Sequence, residues 1–545
     1  MMRNRAFTIV VLLSAACVGT ARLEGPVRAA GDGGAPRADA SVNDAGSHDA
    51  GWQDAGLITC DPGIPAWFPG EGPRTPSISL DGAAAAKRRA LERRRLRLLE
   101  ALLPGSEWAT LRVEQADITC GRVEWRRLVD IGRGIFEHVF TTREGLGNGL
   151  AGLDTSVGTR PAPNFRRFQY AEFGGPETVT CTSCHWKGGE HGAGDRTDNS
   201  YLLGDGDAWS THDERNPPAL LGLGWVQIAA QEMNGELAAI RDLAIAEARR
   251  DNAFKSVSLV AKGISFGELL VAPDGSVDAA GVVGVDKDLV IKPFGWKGVW
   301  PNIRRFAEGS LQFHFGIQSE TLVEEHKQHP IPERVGNGPN PDDPDNDGVV
   351  RELTQGQLSA LEAYLATLEV GVTEVPQASE WAQAWIAGEA LFSSIGCATC
   401  HVPYLEVDSS TYRITPETGG HPDVVIDLAQ QSAEPRPQRD PITGRYRVYF
   451  YSDFRRHDMG DEMRGPNIER GVGRTTYLTR RLWGLSRSSP YLYDGRAATF
   501  DEAIAAHGGE AAGARDAFQS LESAQQGQLR MFLLSLTRAR DAIVR

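Results

Sequence analysis

The amino-acid sequence predicts a mainly α fold made of two related domains with long loops. Three observations support this prediction. A Cys-x-x-Cys-His motif occurs twice, as CTSCH at residues 181–185 and as CATCH at residues 397–401. The segment FGWKGVWPNIRRF (294–306) aligns without gaps on YLYDGRAATFDEA (491–503), which indicates an internal duplication. Helical patterns recur along the chain, whereas no strand-rich region stands out.

The N-terminus has the pattern of an export signal. Arg3 and Arg5 precede the apolar run AFTIVVLLSAA, which is too short to span a bilayer. Small residues before Cys17 are typical of a bacterial lipoprotein cleavage site, although Leu13 lies four residues before the cysteine instead of three. We therefore expect a signal peptide over residues 1–16 and a lipid anchor at Cys17. The protein would be periplasmic or anchored to the outer membrane; plain cleavage and release is the alternative.

An N-terminal extension separates this signal from the two domains. Residues 17–58 are rich in Ala, Gly and Asp, carry little that could be buried, and are predicted to be a flexible tether. Residues 59–124 are predicted to be a helical extension, in which SLDGAAAAKRRALERRRLRLLEALLPG (79–105) forms a long helix. An oxidising compartment favours a disulfide between Cys60 and Cys120, with two buried thiols as the alternative.

The two domains are predicted at residues 125–375 and 376–545. A G-x-x-[IL]-F pattern leads towards each motif, as GRGIF before the first and GEALF before the second. Before the domain boundary, Thr354 and Gln357 form a capping-box pattern that predicts the start of a helix with one apolar face. That face would carry Leu358, Leu361, Leu365 and Leu368.

The composition is that of a globular protein with an acidic balance. The chain has 545 residues and a net charge of −15. This charge argues against nucleic acid or an anionic membrane surface as the main partner. A small basic protein could still dock on an acidic patch.

The two Cys-x-x-Cys-His motifs are typical of covalent haem attachment. On one tight turn two thiols can each add to a haem vinyl group, and the following histidine then ligates the iron. A thioredoxin-like pair would need no histidine, and zinc knuckles usually lie closer together in sequence. Two c-type haems are therefore predicted, attached through Cys181, Cys184, Cys397 and Cys400, with His185 and His401 as proximal ligands.

Several stretches resemble one bacterial family. They are RNPPALLGLG (215–224), FGWKGVWPNIRRFAEG (294–309), GCATCHVPYL (396–405), YSDFRRHDMG (451–460) and LWGLSRSSPYLYDGRAATFDEAIAAHGGEA (482–511). The sequence from about residue 130 onward resembles the di-haem oxidoreductases related to di-haem cytochrome c peroxidase and MauG. This resemblance implies a cytochrome c-like fold and a peroxidase in which one haem binds peroxide and the other passes electrons. The family is also called thiol oxidoreductases, but no free cysteine pair remains here for thiol chemistry.

The resemblance also suggests catalytic residues. Trp296 matches a tryptophan that lies between the haems and relays electrons; simple core packing is the alternative. Where the family usually has a glutamate, this sequence has His314. Histidine can move protons during peroxide cleavage, or it can ligate iron; a purely structural role is the third alternative. Glu320 is a nearby alternative acid.

A sixth ligand is expected for the second haem, where methionine would raise the potential. Met459, in the stretch HDMG, is the preferred candidate. His457, Met463 and Tyr451 are the alternatives, and core packing could explain Met459 as well.

The loop NPDDPDNDG (340–348) suggests a calcium site. Asp343, Asp345 and Asp347 alternate before Gly348, which is the ligand spacing of calcium loops. The last glutamate of an EF-hand would fall at Thr354, so Glu352 is the nearest substitute. By resemblance, calcium helps to order some di-haem peroxidases. A solvated acidic turn is the alternative.

Together these features predict an exported di-haem c-type oxidoreductase that reduces hydrogen peroxide at the first haem. Its donor would be a small redox protein of cytochrome c or cupredoxin type, and analogy suggests a homodimer. One alternative is a MauG-like or oxygenase-type enzyme that oxidises a protein or organic substrate. The other is a di-haem cytochrome that only transfers electrons.

Overall fold

The computed structural model describes residues 106–147, 177–202, 213–328, 340–345 and 347–539. All of them belong to the second of two units into which the chain divides, residues 55–545. The predicted export signal, the lipid anchor, the tether, the helix at 79–105 and Cys60 lie outside the described residues. The predicted domain boundaries therefore stay predictions.

The α-helices of the described ranges are α1 Ser106–Leu111, α2 Gln115–Thr119, α3 Trp125–Glu137, α4 Leu223–Asp251, α5 Ile303–Phe315, α6 Glu320–Gln328, α7 Gln355–Ala366, α8 Ser379–Ser394, α9 Leu428–Gln431, α10 Phe500–Ala505, α11 Ala512–Gln519 and α12 Ser523–Ser535. None of them is both long and apolar enough to cross a membrane.

The strands are short and pair in small antiparallel sheets. They are β1 Ser200–Leu202, β2 Asp213–Arg215, β3 Lys255–Ala261, β4 Ile264–Val271, β5 Val277–Asp278, β6 Val372–Thr373, β7 Leu405–Val407, β8 Thr411–Ile414, β9 Val424–Asp427, β10 Tyr446–Val448, β11 Arg456–Asp458, β12 Thr476–Leu478 and β13 Leu536–Thr537. The pairs are β1–β2, β7–β10, β11–β12, β6–β13 and β8–β9, and β3–β4–β5 form a three-stranded sheet.

The prediction of a mainly α fold holds in part, because these sheets were not expected. The β3–β4 hairpin contains the longest strands that were not predicted. Its sequence alternates between buried and exposed side chains over β4, and its turn is Lys262–Gly263, both at positive φ. Apolar and polar residues that alternate on the two sides of such a turn predict a β-hairpin, and this sequence has that pattern.

Helix α7 is buried along its whole length. Its predicted capping box is present, since the Thr354 hydroxyl accepts from the Gln357 amide and the Gln357 side chain accepts from the Thr354 amide. The leucines of the predicted apolar face are buried, but so is every other residue of α7, so the helix has no solvent-exposed side. Helices α2, α3, α4 and α5 all pack against it. Leu368 lies beyond its end at Ala366.

The two G-x-x-[IL]-F helices have matching partners. Helix α3 packs on α7 and α8 packs on α12. An added Cβ at Gly132 would lie 1.9 Å from the Ala360 carbonyl oxygen, and one at Gly388 would lie 2.1 Å from the Gln528 carbonyl oxygen. In both pairs, a glycine therefore allows close contact between the helix before the motif and a second helix.

The two aligned segments also share their local backbone. Phe294 bridges to Trp300 in the first segment and Tyr491 bridges to Ala497 in the second. A helix begins shortly after each bridge, capped by Asn302 before α5 and by Thr499 before α10. These are equivalent positions of the gapless alignment, so the sequence match extends to hydrogen bonding.

Cys120 is disulfide-bonded. Its partner is none of the four motif cysteines, because those are free. The pairing with Cys60 stays a prediction.

Candidate functional site

Each Cys-x-x-Cys-His motif begins with one 3-10 turn, Cys181–Ser183 in the first and Cys397–Thr399 in the second. The amide of His185 donates to the Cys181 carbonyl over 3.1 Å, and that of His401 to the Cys397 carbonyl over 3.0 Å. This tight turn keeps both thiols and the imidazole of each motif in one small region.

Both motif histidines are oriented by a backbone carbonyl. Nδ1 of His185 lies 3.1 Å from the Pro218 carbonyl oxygen, and Nδ1 of His401 lies 3.0 Å from that of Tyr451. When Nδ1 donates to a carbonyl, Nε2 carries the lone pair that a metal requires. Burial, more than any other factor, lowers the pKa of both rings to about 4, so both are neutral. The predicted proximal ligands are thus held in a metal-binding form.

A cavity of about 530 Å³ lies beside the second motif. It is lined by Cys397, Cys400 and His401 together with Trp296, Met459, Met463, Arg480, Arg481 and His507. Such a cavity, mainly apolar with a few polar groups, is typical of a cofactor site. The predicted haem-binding residues of the second motif therefore surround a space of suitable size.

Two arginines of this cavity provide a test of whether haem fits. Burial lowers the pKa of Arg480 to about 10 and that of Arg481 well below its usual value. Within the described ranges, neither guanidinium forms an ion pair with a carboxylate. Arg480 instead lies 4.7 Å from the Trp296 ring centroid and Arg481 5.8 Å from that of Trp483. Haem carries two anionic propionates, which would supply the missing counter-charge.

Trp296 connects this cavity to the first motif. Its Nε1 donates to the Asn216 carbonyl over 2.8 Å. Asn216, Pro217 and Pro218 also line the cavity, and the Pro218 carbonyl is the acceptor for His185. The predicted relay residue and the first proximal histidine are therefore attached to one three-residue segment.

The structure narrows the choice of sixth ligand at the second motif. Met459 and Met463 both line the cavity. His457 is not available, because its Nδ1 lies 2.7 Å from Glu510 and its Nε2 lies 2.8 Å from Asp453. The Tyr451 carbonyl accepts a hydrogen bond from the His401 ring, so Tyr451 lies on the same side as the proposed proximal ligand.

His507 is a cavity residue to which the sequence assigned no role. Its Nδ1 lies 2.7 Å from the Ala503 carbonyl oxygen, the same arrangement as in the two proximal histidines. His507 also lies close enough to His401 to contribute, after burial, to the lowered pKa of that ring. It is therefore a third candidate ligand. His507 begins HGGEA, the end of a stretch that carries the family resemblance, but the resemblance suggested no chemical role for it.

His314 lies near the first motif. It occupies the last turn of α5, and after burial it is the largest influence lowering the pKa of His185. Its Nδ1 is hydrogen-bonded to the Glu177 carboxylate and lies 3.4 Å from the Ser200 hydroxyl. The backbone amide of Glu177 donates to the His314 carbonyl over 2.8 Å. Sequence reasoning missed Glu177, although it stands only four residues before Cys181.

The carboxylate of Glu320, the alternative acid, is occupied by two hydrogen bonds. One carboxylate oxygen accepts from Arg351 Nε over 2.7 Å and the other accepts from the Gln355 amide over 3.0 Å. Both oxygens are thus engaged, one with Arg351 and one at the start of α7, which does not favour an acid–base role.

The acidic loop does bring its three aspartates together. Oxygens of Asp343, Asp345 and Asp347 all lie within 4.8 Å of one another.

The region around the second motif matches a family model described as "Di-haem oxidoreductase, putative peroxidase", over residues 277–536. Residues 277–536 belong to the di-haem oxidoreductase family. The match includes the second motif, Trp296, His314 and both cavity methionines, whereas the first motif lies before it. No curated protein matches the chain significantly.

Two solved structures are similar over most of the chain. Hydrazine synthase of Kuenenia stuttgartiensis is 15% identical, with a TM-score of 0.27, over 74% of this chain and 94% of its own. A MauG-like protein associated with microbial copper homeostasis is 12% identical, with a TM-score of 0.30, over 75% of this chain and 88% of its own. Superpositions this loose carry no conclusion about activity.

Proposed function

We propose that this di-haem oxidoreductase reduces hydrogen peroxide at its first motif with electrons passed from its second. The observation that carries the proposal is the shared segment Asn216–Pro218, which joins the His185 ligand to the Trp296 wall of the second cavity. The reaction consumes two electrons and two protons for each peroxide and releases two waters. A small cytochrome c or cupredoxin-type protein would supply the electrons.

Haem would be held covalently by both motifs. Cys181 and Cys184 would attach one haem and Cys397 and Cys400 the other, with Arg480 and Arg481 facing the propionates of the second. When bound, haem supplies redox-active iron at which peroxide can be reduced. The matching helix pairs and bridges support two cytochrome c-like domains related by duplication.

The pair formed by His314 and Glu177 would move protons at the first site. With Nδ1 donating to Glu177, His314 Nε2 carries a lone pair that can take a proton from one peroxide oxygen. The same nitrogen can return that proton to the other oxygen as it leaves as water. Glu177 stabilises the charged ring between the two transfers.

Location and oligomeric state rest on the sequence. The export signal and Cys17 support an exported bacterial protein, periplasmic or lipid-anchored. A homodimer is proposed by analogy only.

The proposal is tested by reducing the purified holo-protein with one electron equivalent and mixing it with stoichiometric peroxide in a stopped-flow spectrometer. We expect rapid loss of the ferrous band together with consumption of peroxide. A persistent ferrous band with unchanged peroxide would overturn the proposal and favour a cytochrome that only carries electrons.

A second candidate function, oxidation of a bound partner, is favoured by one feature. Tyr477 lines the cavity and stacks on Tyr493, with ring centroids 4.7 Å apart. Tyr493 in turn lines a pocket with Arg464, Arg474, Arg496, Glu214 and Asp494. Stacked aromatic rings could carry an oxidising equivalent outward to a bound partner. Oxidation of Tyr493 after peroxide addition, detected by mass spectrometry and absent in Tyr477→Leu, would support this function; an unmodified Tyr493 would argue against it.

A further inference from the structure

The acidic loop contains carboxylates that are buried without hydrogen-bond partners. Asp345 is 0% exposed, and neither of its carboxylate oxygens has a partner. One oxygen of Asp347 is also buried without a partner. Asp343 is engaged differently, since it accepts from the amides of Asp347 and Gly348 over 3.1 Å each. Asp343 therefore shapes the loop, whereas both carboxylate oxygens of Asp345 are buried without a donor.

The cluster has a fourth carboxylate and lacks a positive charge. Glu352 is 3% exposed, and after burial the three aspartates raise its pKa well above the usual value. Burial, then Asp347 and Asp343, likewise raise the pKa of Asp345 to about 9. In the described part of the chain, no basic side chain forms an ion pair with these four residues. The nearby Lys327 pairs with Asp342, which lies outside the cluster.

We propose that Asp343, Asp345, Asp347 and Glu352 form a binding site for a divalent cation of the size and hardness of Ca²⁺. Burying several carboxylates together is costly unless a cation compensates their charge. Ca²⁺ prefers oxygen ligands and tolerates irregular loops, whereas transition metals favour nitrogen or sulfur. Among the described residues, the cluster offers oxygen only.

The site is connected to the helix that carries His314. The Glu352 carboxylate accepts from the Gln318 amide over 2.7 Å, and Gln318 follows the end of α5 at Phe315. The Gln318 side chain donates back to the Gly316 carbonyl over 2.9 Å. A cation that fixes Glu352 therefore also fixes the chain directly after His314. Binding of the cation itself does not depend on the proposed peroxidase function.

The test uses the holo-protein after treatment with EDTA and calcium titration by calorimetry. We expect one tightly bound Ca²⁺ per chain and a higher thermal midpoint with Ca²⁺ than with EDTA. Asp345→Asn should lose binding at least 10-fold, since it removes one charged ligand from the centre of the site. Asp342→Asn is the matched control in the same loop and should bind as the wild type does.

Two further results separate a cation site from a structural aspartate. In EDTA, Asp345→Asn should be at least as stable as the wild type, because it removes repulsion between buried carboxylates. Hydrogen exchange at the Gln318 amide should slow when Ca²⁺ is added. Absence of calorimetric binding, or equal loss of binding in Asp342→Asn and Asp345→Asn, would overturn the proposal. If Asp345→Asn does not fold, Asp347→Asn provides the same comparison.

Discussion

Trp296 and His185 donate to carbonyl groups only two residues apart, those of Asn216 and Pro218. The indole lines the cavity of the second motif, while the imidazole belongs to the first. Proline at 217 and 218 restricts the backbone between them, because its ring limits φ. A short, stiff segment thus links the first motif to the cavity of the second.

Replacing Trp296 by Phe should slow electron transfer between the haems. The variant removes the donor to Asn216 and part of the ring that lies towards the first motif. An unsatisfied buried carbonyl costs about 1–3 kcal/mol, so stability should fall modestly. Stopped-flow spectra of the one-electron-reduced protein after peroxide addition measure the rate. Trp300→Phe, in the same loop but outside the cavity, is the control. Equal rates in both variants would show that Trp296 is only a packing residue.

Loss of the proton-moving pair should slow peroxide reduction without changing haem content. We expect His314→Gln to lower the rate by roughly 100-fold or more, as for a lost acid–base group. Glu177→Gln should lower it by about 10- to 100-fold, because the histidine loses its charged partner. Ser200→Ala, which removes only a contact at 3.4 Å, is the matched control. A Glu177→Gln variant with a wild-type rate and pH profile would contradict the role of Glu177.

The sixth ligand of the second haem can be assigned by three substitutions. We expect Met459→Leu to abolish the methionine–iron charge-transfer band and to lower the reduction potential. The choice of axial ligands changes haem reduction potentials over a range of roughly 0.8 V. We therefore expect a shift in potential on the order of a tenth of a volt. Met463→Leu and His507→Ala should leave both the band and the potential nearly unchanged. Persistence of the band in Met459→Leu, with its loss in Met463→Leu, would move the assignment to Met463.

Close helix contact should make Gly388 sensitive to substitution. An alanine there would place Cβ 2.1 Å from the Gln528 carbonyl oxygen, so α8 and α12 would have to separate. Overpacking of this kind costs about 1–3 kcal/mol. Gly527→Ala on α12 meets nothing within 4 Å and should instead stabilise the protein by roughly 0.5–1 kcal/mol. Chemical denaturation of both variants measures the difference, and equal stabilities would show that α8 and α12 adjust freely.

Local patterns explain what could be predicted at the site and in the fold. The motif turns, the Thr354 capping box and the equivalent bridges at Phe294 and Tyr491 all depend on residues a few positions apart. The β3–β4 hairpin depends on an equally short-range pattern, although it was not among the predicted elements. The burial of α7 could not be predicted, because it depends on four other helices that pack around it.

By itself, the sequence predicted two Cys-x-x-Cys-His motifs as haem attachment sites, their histidines as proximal ligands and a cluster of three aspartates, because each depends on short-range spacing along the chain. Only the tertiary structure decided that His457 is engaged by Asp453 and Glu510. It also decided that Glu177 meets His314, which stands 137 residues later. Contacts over such separations follow from how helices pack and where loops return, and neither is contained in the spacing of a motif.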